Sequence, residues 1–252
     1  MKNNKNKIRG QITIFVIIAV VIVILIGIIL IVSNKDNLNP DYSNDPNYNL
    51  INDCLELKGE QALYYIGKTG GYYSIPEKST EYGDTYYFYD NQNIMPSKEN
   101  VENEINRFIK DFGADCSDNS EYNILSKGNI TTKTKIYDDK VLLEIKYPIT
   151  IEKSDKKISY ENFNIEIPGR IGLIYKATEE YLDGQMESPM GICINCINDL
   201  ANKYDIKFVT YNYDNSTIIF NIYDDKTKIN TQDFYTYSFA VKYDFNESEI
   251  VL

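Results

Sequence analysis

The 252-residue chain contains no histidine and no tryptophan. Without an imidazole it cannot form a Ser-His-Asp or Cys-His catalytic centre, and zinc sites that need histidine are excluded as well. It also has no glycine-rich phosphate-binding loop and no Asp-x-Asp-x-Asp-Gly calcium loop. The sequence therefore predicts no catalytic residues, no metal site and no cofactor.

Basic residues are scarce beyond the first ten positions. The chain has 26 basic and 37 acidic residues, and its net charge is −11. Four of the cations (Lys2, Lys5, Lys7 and Arg9) come first, and no acidic residue occurs before Asp36. The rest of the chain holds 22 basic against 37 acidic residues, a net charge of −15. A domain this acidic repels the negatively charged backbone of nucleic acid. Nucleic acid is therefore excluded as a partner.

One long hydrophobic stretch, Ile12–Val32, has 21 residues without a charge. As a helix rising about 1.5 Å per residue it would cross the roughly 30 Å hydrocarbon core of a bilayer. Because the cations precede it and only Lys35 follows closely, the positive-inside rule puts the N-terminus in the cytoplasm. We therefore expect a single-pass protein of the cell membrane, whose partner along this stretch is lipid and whose larger C-terminal part is extracytoplasmic.

The residues at the start of this stretch resemble a known kind of signal peptide. Residues Lys7–Phe15 read KIRGQITIF, and they resemble the class III signal peptide of archaeal type IV pilin-like proteins. The resemblance implies cleavage by a prepilin peptidase between Gly10 and Gln11. Phe15 departs from it, since pilins carry at that position a glutamate that pairs with a neighbouring subunit, and this departure argues against filament assembly. The alternative is a plain anchor behind uncut cytoplasmic cations.

A wider resemblance covers most of the chain. Its segments read RGQITIF, INDCLELKGEQALYYIGKTGGYY, PSKENVENEINRFI, NIEIPGRIGLIY and CINCINDL. They resemble an uncharacterised family of archaeal single-pass membrane proteins with a class III (type IV pilin-like) signal peptide. The resemblance implies a cell-surface location and a pilin-like leader, and it implies no catalytic activity.

The chain beyond the anchor predicts alternating helices and hairpins. Helical spacing of apolar residues covers 48–66, 97–112, 171–182 and 194–204. Strand patterns cover 82–89, 131–137, 141–151, 158–167, 206–213, 217–223 and 234–245. Gly70-Gly71 is expected to stop the first helix, Ser97 to cap the second, and Gly113 to end it in a left-handed conformation.

The predicted fold class is α+β, with one N-terminal transmembrane helix followed by an extracytoplasmic domain of antiparallel β-hairpins and packed helices. The predicted divisions are a leader at 1–11, the transmembrane helix at 12–32, a polar linker at 33–47 and the domain at 48–252. That domain could divide into two subdomains of about 48–168 and 169–252.

Four cysteines, Cys54, Cys116, Cys193 and Cys196, lie beyond the anchor. An even number in an extracytoplasmic domain favours two disulfides, with three possible connectivities. Two alternatives stay open: a metal site of four thiolates, or redox chemistry at Cys193-x-x-Cys196 at a helix N-terminus. The flanking sequence lacks the Trp-Cys-Gly-Pro character of thioredoxins.

Other polar and aromatic groups have plain interpretations. The acid pairs Asp138/Asp139, Glu179/Glu180 and Asp224/Asp225 predict solvated turns and helix faces rather than catalytic or calcium-binding carboxylates. The aromatic segment 82–89 predicts a buried strand, with stacking on sugars as the alternative. The glycosylation candidates, each in an Asn-x-Ser/Thr triplet, are Asn129, Asn215 and Asn246.

Three functions compete. The first is a membrane-anchored cell-surface protein of structural, adhesive or interaction type, which would be non-enzymatic and pilin-like and would contact other envelope or pilus-like subunits. The second is an extracytoplasmic ligand-binding receptor domain, which a deep apolar pocket lined by tyrosines would favour. The third is a thiol-disulfide oxidoreductase that uses Cys193 and Cys196.

Overall fold

The computed structural model describes residues 18, 20–26, 42, 44–117, 122–187, 191–229 and 234–243. The chain divides between Asp45 and Pro46 into two units. In the first unit, residues 18 and 20–26 are helical, and each exposes between 48% and 69% of its surface. Within the described ranges, no helix combines the length and the apolar character that a membrane crossing requires. Most of the predicted span 12–32 lies outside those ranges.

The second unit is an α+β domain. Its helices are α1 (Pro46–Lys68), α2 (Lys98–Phe112), α3 (Ile171–Glu187) and α4 (Ile194–Tyr204), with a 3-10 helix at Gly113–Ser117. Its strands are β1 (Tyr86–Tyr89), β2 (Gln92–Asn93), β3 (Asn123–Lys127), β4 (Thr131–Ile136), β5 (Lys140–Lys153), β6 (Lys156–Pro168), β7 (Lys207–Asn212), β8 (Thr217–Asp224) and β9 (Tyr235–Lys242).

Strands β3 to β6 form an antiparallel four-stranded sheet around β5. One edge of β5 pairs with β6 along nearly its whole length, and the other edge pairs first with β4 and then with β3. Strands β3 and β4 therefore act as one long strand that is interrupted at Gly128, whose N–H donates to the carbonyl of Pro148 (2.8 Å). Pro148 has no N–H to offer a partner strand, and the interruption lies beside it.

The remaining strands form a five-stranded sheet in the order β2-β1-β9-β8-β7. The predicted antiparallel hairpins β4–β5 and β7–β8 are confirmed, and the third strand predicted at 158–167 is β6, which pairs antiparallel with β5. Strand β1 differs, because it pairs with β9 in parallel, with Tyr86 opposite Ala240. The suggested boundary at 168/169 separates most strands of the two sheets, but the β1–β9 pair crosses it.

Helix α1 packs on both sheets and joins their cores. Its inward face follows the predicted spacing, and Ile51, Leu55 and Ala62 are fully buried. A Cβ added at Gly59 would lie 2.6 Å from Leu143 of the four-stranded sheet. A Cβ added at Gly67 would lie 2.6 Å from the Thr236 carbonyl of the five-stranded sheet. At Gly67 only glycine permits so close an approach to the neighbouring backbone, and at Gly59 a larger residue would displace the end of the Leu143 side chain. The two glycines thus let one helix pack closely on both sheets.

Two of the three predicted helix ends are confirmed. The side chain of Ser97 caps α2 by accepting the N–H of Asn100 (3.2 Å). Gly70 and Gly71 end α1 with positive φ angles of 63° and 82°. The left-handed conformation predicted for Gly113 is wrong, since its φ is −69°. The chain instead continues into the 3-10 helix.

The aromatic segment 82–89 is mostly interior. Tyr87 and Phe88 are fully buried, and Tyr86 nearly so, which confirms the buried strand over β1. Tyr82 lies before that strand and is 83% exposed. The hydroxyls of Tyr87 and Tyr237 are 2.6 Å apart, and Tyr87 donates to the Gly70 carbonyl (2.9 Å). Burial raises the pKa of Tyr237, so these phenols stay protonated at neutral pH.

Candidate functional site

The four cysteines form two disulfides, Cys54–Cys116 and Cys193–Cys196. The first joins α1 to the 3-10 helix and closes a loop of 62 residues, with its Cα atoms 5.5 Å apart. The second joins residues only three apart in sequence, with its Cα atoms 5.2 Å apart. This pairing is one of the three connectivities that the sequence left open. It is incompatible with a metal site of four thiolates, because all four sulfur atoms are in disulfides.

The two disulfides differ in how much they can stabilise the fold. In the chain-entropy model, closing a 62-residue loop destabilises the unfolded state by about 4 kcal/mol, and closing a three-residue loop by about 1.5 kcal/mol. The Cys54–Cys116 bond is therefore the structural cross-link of the domain. The Cys193–Cys196 bond contributes much less to stability, so stabilisation of the fold explains its presence less well.

The Cys193–Cys196 disulfide lies at the N-terminus of α4. Cys193 is the N-cap residue, and its Sγ accepts the backbone N–H of Cys196 (3.2 Å). Both cysteines are half-buried, whereas Ile194 between them is 66% exposed. The motif is therefore partly exposed, at a helix end whose first N–H groups have no carbonyl partner within the helix.

A buried polar network supports the loop that leads into this motif. Gln185 of α3 is fully buried, and its Nε2 donates to the Gly191 carbonyl (3.0 Å). Its Oε1 accepts hydrogen bonds from the hydroxyls of Tyr181 and Tyr243, each at 3.0 Å. Burial raises the pKa of Tyr243 to about 12 and also raises that of Tyr181, so both phenols remain donors at neutral pH.

Gly184 lies beside the motif. A Cβ at this position would lie 3.5 Å from the Sγ of Cys196, so that sulfur faces α3 at Gly184. The sequence did predict the cysteine pair at a helix start. It gave no signal for Gln185 or Gly184, because their roles depend on how α3 and α4 pack together.

The other end of α4 is held by an ion pair that the sequence interpretation missed. Asp224 was predicted to be solvated, and that prediction is wrong: its side chain is fully buried. Nη2 of Arg170 lies 2.9 Å from Asp224 Oδ1 and also donates to the carbonyls of Tyr204 and Asp205 (2.9 Å each). A buried carboxylate needs such a partner, and Arg170 is 54 residues away in sequence.

The other members of the acid pairs lie at the surface, as predicted. Asp138 forms an ion pair with Lys176 (2.7 Å), and Glu180 forms one with Lys203 (2.7 Å). The hydrogen bond from Lys203 lowers the pKa of Glu180. Exposed pairs of this kind contribute little to stability.

The outer faces of the two sheets differ in charge. The four-stranded sheet carries the ion pairs Lys133–Glu144 (3.7 Å), Lys140–Glu166 (2.8 Å) and Lys146–Glu161 (2.8 Å). The five-stranded sheet has a region of uncharged side chains, here named the tyrosine face. It consists of Val209, Tyr211, Asn221, Tyr223, Phe234 and Ser238. It is bordered by Lys207, which lies opposite Tyr223 and pairs with Asp225 (3.7 Å). Val209 and Tyr211 are each 48% exposed, and Phe234 is 46% exposed.

Two grooves bear on the receptor hypothesis. One, of about 270 Å³, lies on the charged outer face of β4, β5 and β6. The other, of about 290 Å³, is lined by residues that include Tyr72, Lys78 and Tyr86. Both are open and smaller than the roughly 300–1,000 Å³ usual for small-molecule sites. Neither is the deep tyrosine-lined pocket that would favour the receptor hypothesis.

Only some of the predicted glycosylation and cleavage sites lie among the residues that the structure describes. Asn129 is exposed in the connection between β3 and β4, and Asn215 is exposed in the turn between β7 and β8. Both are therefore accessible to a glycan. Asn246, Gly10 and Gln11 lie outside the described residues.

Comparison of the chain with protein-family models, with curated proteins and with solved structures gives no match. The function of this chain is therefore inferred from its own residues and geometry.

The difference in loop length predicts unequal effects of removing each disulfide. We expect the double variant Cys54→Ser/Cys116→Ser to lose about 4 kcal/mol of unfolding free energy, and Cys193→Ser/Cys196→Ser about 1.5 kcal/mol. Denaturant unfolding of the full-length chain in detergent, followed by circular dichroism, measures both. The two pairs serve as controls for each other, and equal losses would contradict the structural assignment.

Proposed function

We propose that the chain is a membrane-anchored cell-surface protein of structural, adhesive or interaction type. The observation that carries the proposal is the uncharged stretch 12–32, whose described residues are helical and about half-exposed. Apolar surface left in water is unfavourable by about 25 cal/mol per Å². Lipid around this helix removes that penalty, and the helix satisfies its own backbone hydrogen bonds.

Two independent features support an extracytoplasmic position for the domain from Pro46 onward. The first is the cluster of cations before the stretch, which favours a cytoplasmic N-terminus. The second is the Cys54–Cys116 disulfide, a kind of bond that persists in oxidising compartments and is rare in the cytosol. Both features favour the outer side of the membrane for the acidic domain.

Charge placed in the centre of the stretch tests the anchor. Each arginine at the middle of a membrane helix opposes insertion by about 2.5–3.5 kcal/mol. We expect Ile22→Arg/Ile24→Arg to move the chain from the alkali-resistant membrane fraction to the soluble fraction, and Ile22→Leu/Ile24→Leu to leave it in the membrane fraction. Fractionation followed by immunoblotting measures this distribution. A wild-type chain that is freely soluble after lysis would refute the anchor.

We further propose that the leader is removed before Gln11, as the resemblance to class III signal peptides implies. Mass spectrometry of the N-terminus of the native protein measures the outcome directly. A mature chain that starts at Gln11 is expected. An intact Met1 would leave the anchor in place but refute the pilin-like processing.

We propose that the tyrosine face is the contact between copies of this chain on the membrane. Beyond the first ten residues the net charge is −15, from 22 basic and 37 acidic residues, so two copies repel each other over most of their surfaces. The side chains of the tyrosine face are uncharged, and Lys207 at its border is paired with Asp225. Its exposed aromatic side chains supply contact area at little loss of side-chain entropy. These properties suit the tyrosine face to self-association.

Added negative charge tests this contact. We expect Val209→Glu/Tyr211→Glu to lower the cross-linked dimer fraction in membranes by at least about tenfold, because facing like charges oppose association by several kcal/mol. The control Asn162→Glu/Asn164→Glu adds the same charge to exposed positions on the four-stranded sheet and should leave the dimer fraction unchanged. Wild-type protein found only as monomers would rule out the contact.

A further inference from the structure

The Cys193-x-x-Cys196 motif is not used by the proposed function, and its geometry suits chemistry more than stability. The disulfide closes a loop of three residues, and both of its cysteines are half-buried. In the structural disulfide Cys54 is half-buried as well, but its partner Cys116 is only 6% exposed. A bond that constrains little chain and is open to solvent is of the kind that exchanges with external thiols.

We propose that Cys193–Cys196 is a redox-active disulfide that exchanges with cysteine pairs of other polypeptides. The inference goes beyond the proposed function and does not depend on the membrane anchor. It assigns different roles to the two sulfur atoms, and the polypeptide substrate is suggested by the residue between them.

Cys193 is the sulfur that an incoming thiolate attacks. As the N-cap of α4 it lies at the positive end of the helix dipole, and its Sγ already accepts the N–H of Cys196 (3.2 Å). These groups stabilise a thiolate at Cys193 after the disulfide opens. Cys196 is the inner sulfur, because it lies within the first turn of α4 and faces Gly184 of α3.

The surroundings favour a polypeptide as the substrate. Ile194 lies between the two cysteines and is 66% exposed, and residues 191–198 (GICINCIN) carry no charge in a strongly acidic chain. An apolar, uncharged rim at the disulfide suits contact with the side chains of an unfolded or extended segment.

The geometry of the motif is fixed from within the domain. Gln185 binds the Gly191 carbonyl, two residues before Cys193, and is itself held by two buried tyrosine hydroxyls. The loop therefore keeps its path when the disulfide opens, so that Cys193 and Cys196 remain close enough to re-form the bond.

The exchange proceeds in two steps. A substrate thiolate attacks Cys193 Sγ, which forms a mixed disulfide, breaks the bond to Cys196 and leaves the electron pair on Cys196 Sγ, which takes up a proton. A second substrate thiolate then attacks the substrate sulfur of the mixed disulfide and releases Cys193 as a thiolate. Two substrate thiols are oxidised to a disulfide, and the Cys193–Cys196 disulfide is reduced to a dithiol. A small-molecule disulfide such as oxidised glutathione restores the oxidised form by the reverse steps.

The first experiment uses the full-length wild-type chain in detergent. The chain is equilibrated in glutathione buffers of increasing reduced-to-oxidised ratio, alkylated, and analysed by peptide mass spectrometry. We expect Cys193–Cys196 to open at a ratio at least about tenfold lower than Cys54–Cys116, because exposed disulfides are the more easily reduced ones. Opening of both bonds at the same ratio, or of Cys54–Cys116 first, would overturn the proposal.

The second experiment separates the two cysteines and checks exchange itself. With a peptide disulfide as the probe, C196S should trap a mixed disulfide at Cys193 at least about tenfold faster than C193S traps one at Cys196. Circular dichroism confirms that both variants are folded. Equal rates, or no trapping by a folded C196S variant, would refute the assigned roles. If either variant fails to fold, the glutathione titration of the wild-type chain still decides whether Cys193–Cys196 is redox-active. Neither experiment depends on whether the chain is anchored in a membrane.

Discussion

The packing of α1 against both sheets is the constraint on which the rest of the domain depends. The helix is amphipathic, and it contacts the four-stranded sheet at Gly59 and the five-stranded sheet at Gly67. Near its C-terminal end, Tyr235 donates to the Leu63 carbonyl (3.1 Å). Neither sheet could bury its inner face alone, because each is open on one side. A shared helix gives them one core, and the Cys54–Cys116 bond fastens that helix to the segment after α2.

Helix α4 is held in place by polar contacts at both of its ends. Arg170, which is paired with Asp224, donates to the carbonyls at the C-terminal end of the helix, and Gln185 holds the loop at its N-terminal end. The helix itself has only one buried residue among those described, Leu200. A helix with so little apolar burial depends on polar contacts at its ends for its position. This arrangement leaves its N-terminal disulfide at the surface while keeping its backbone in place.

Much of the local structure could be predicted because the spacing of apolar residues that marks a helix or a strand involves only residues close together in the chain. The predicted helix 194–204 has the observed bounds of α4, and the hairpin around Asp138-Asp139 joins β4 to β5. Strand β3 was missed, because it is mostly exposed and shows no alternation of apolar residues. The parallel pairing of β1 with β9 was also missed, because its partners are about 150 residues apart and no local pattern encodes such a pairing.

The sequence by itself determined the uncharged stretch 12–32, the acidic character of the chain beyond it, the order of helices and hairpins, and the Cys-x-x-Cys spacing. These properties depend on composition and on residues close together in the chain. Only the tertiary structure decided which cysteines pair, that Asp224 is buried against Arg170, and that Val209 and Tyr211 are exposed on one face of the sheet. Burial, ion pairing and disulfide formation require groups to meet in space, and here the groups that meet are mostly tens of residues apart in sequence.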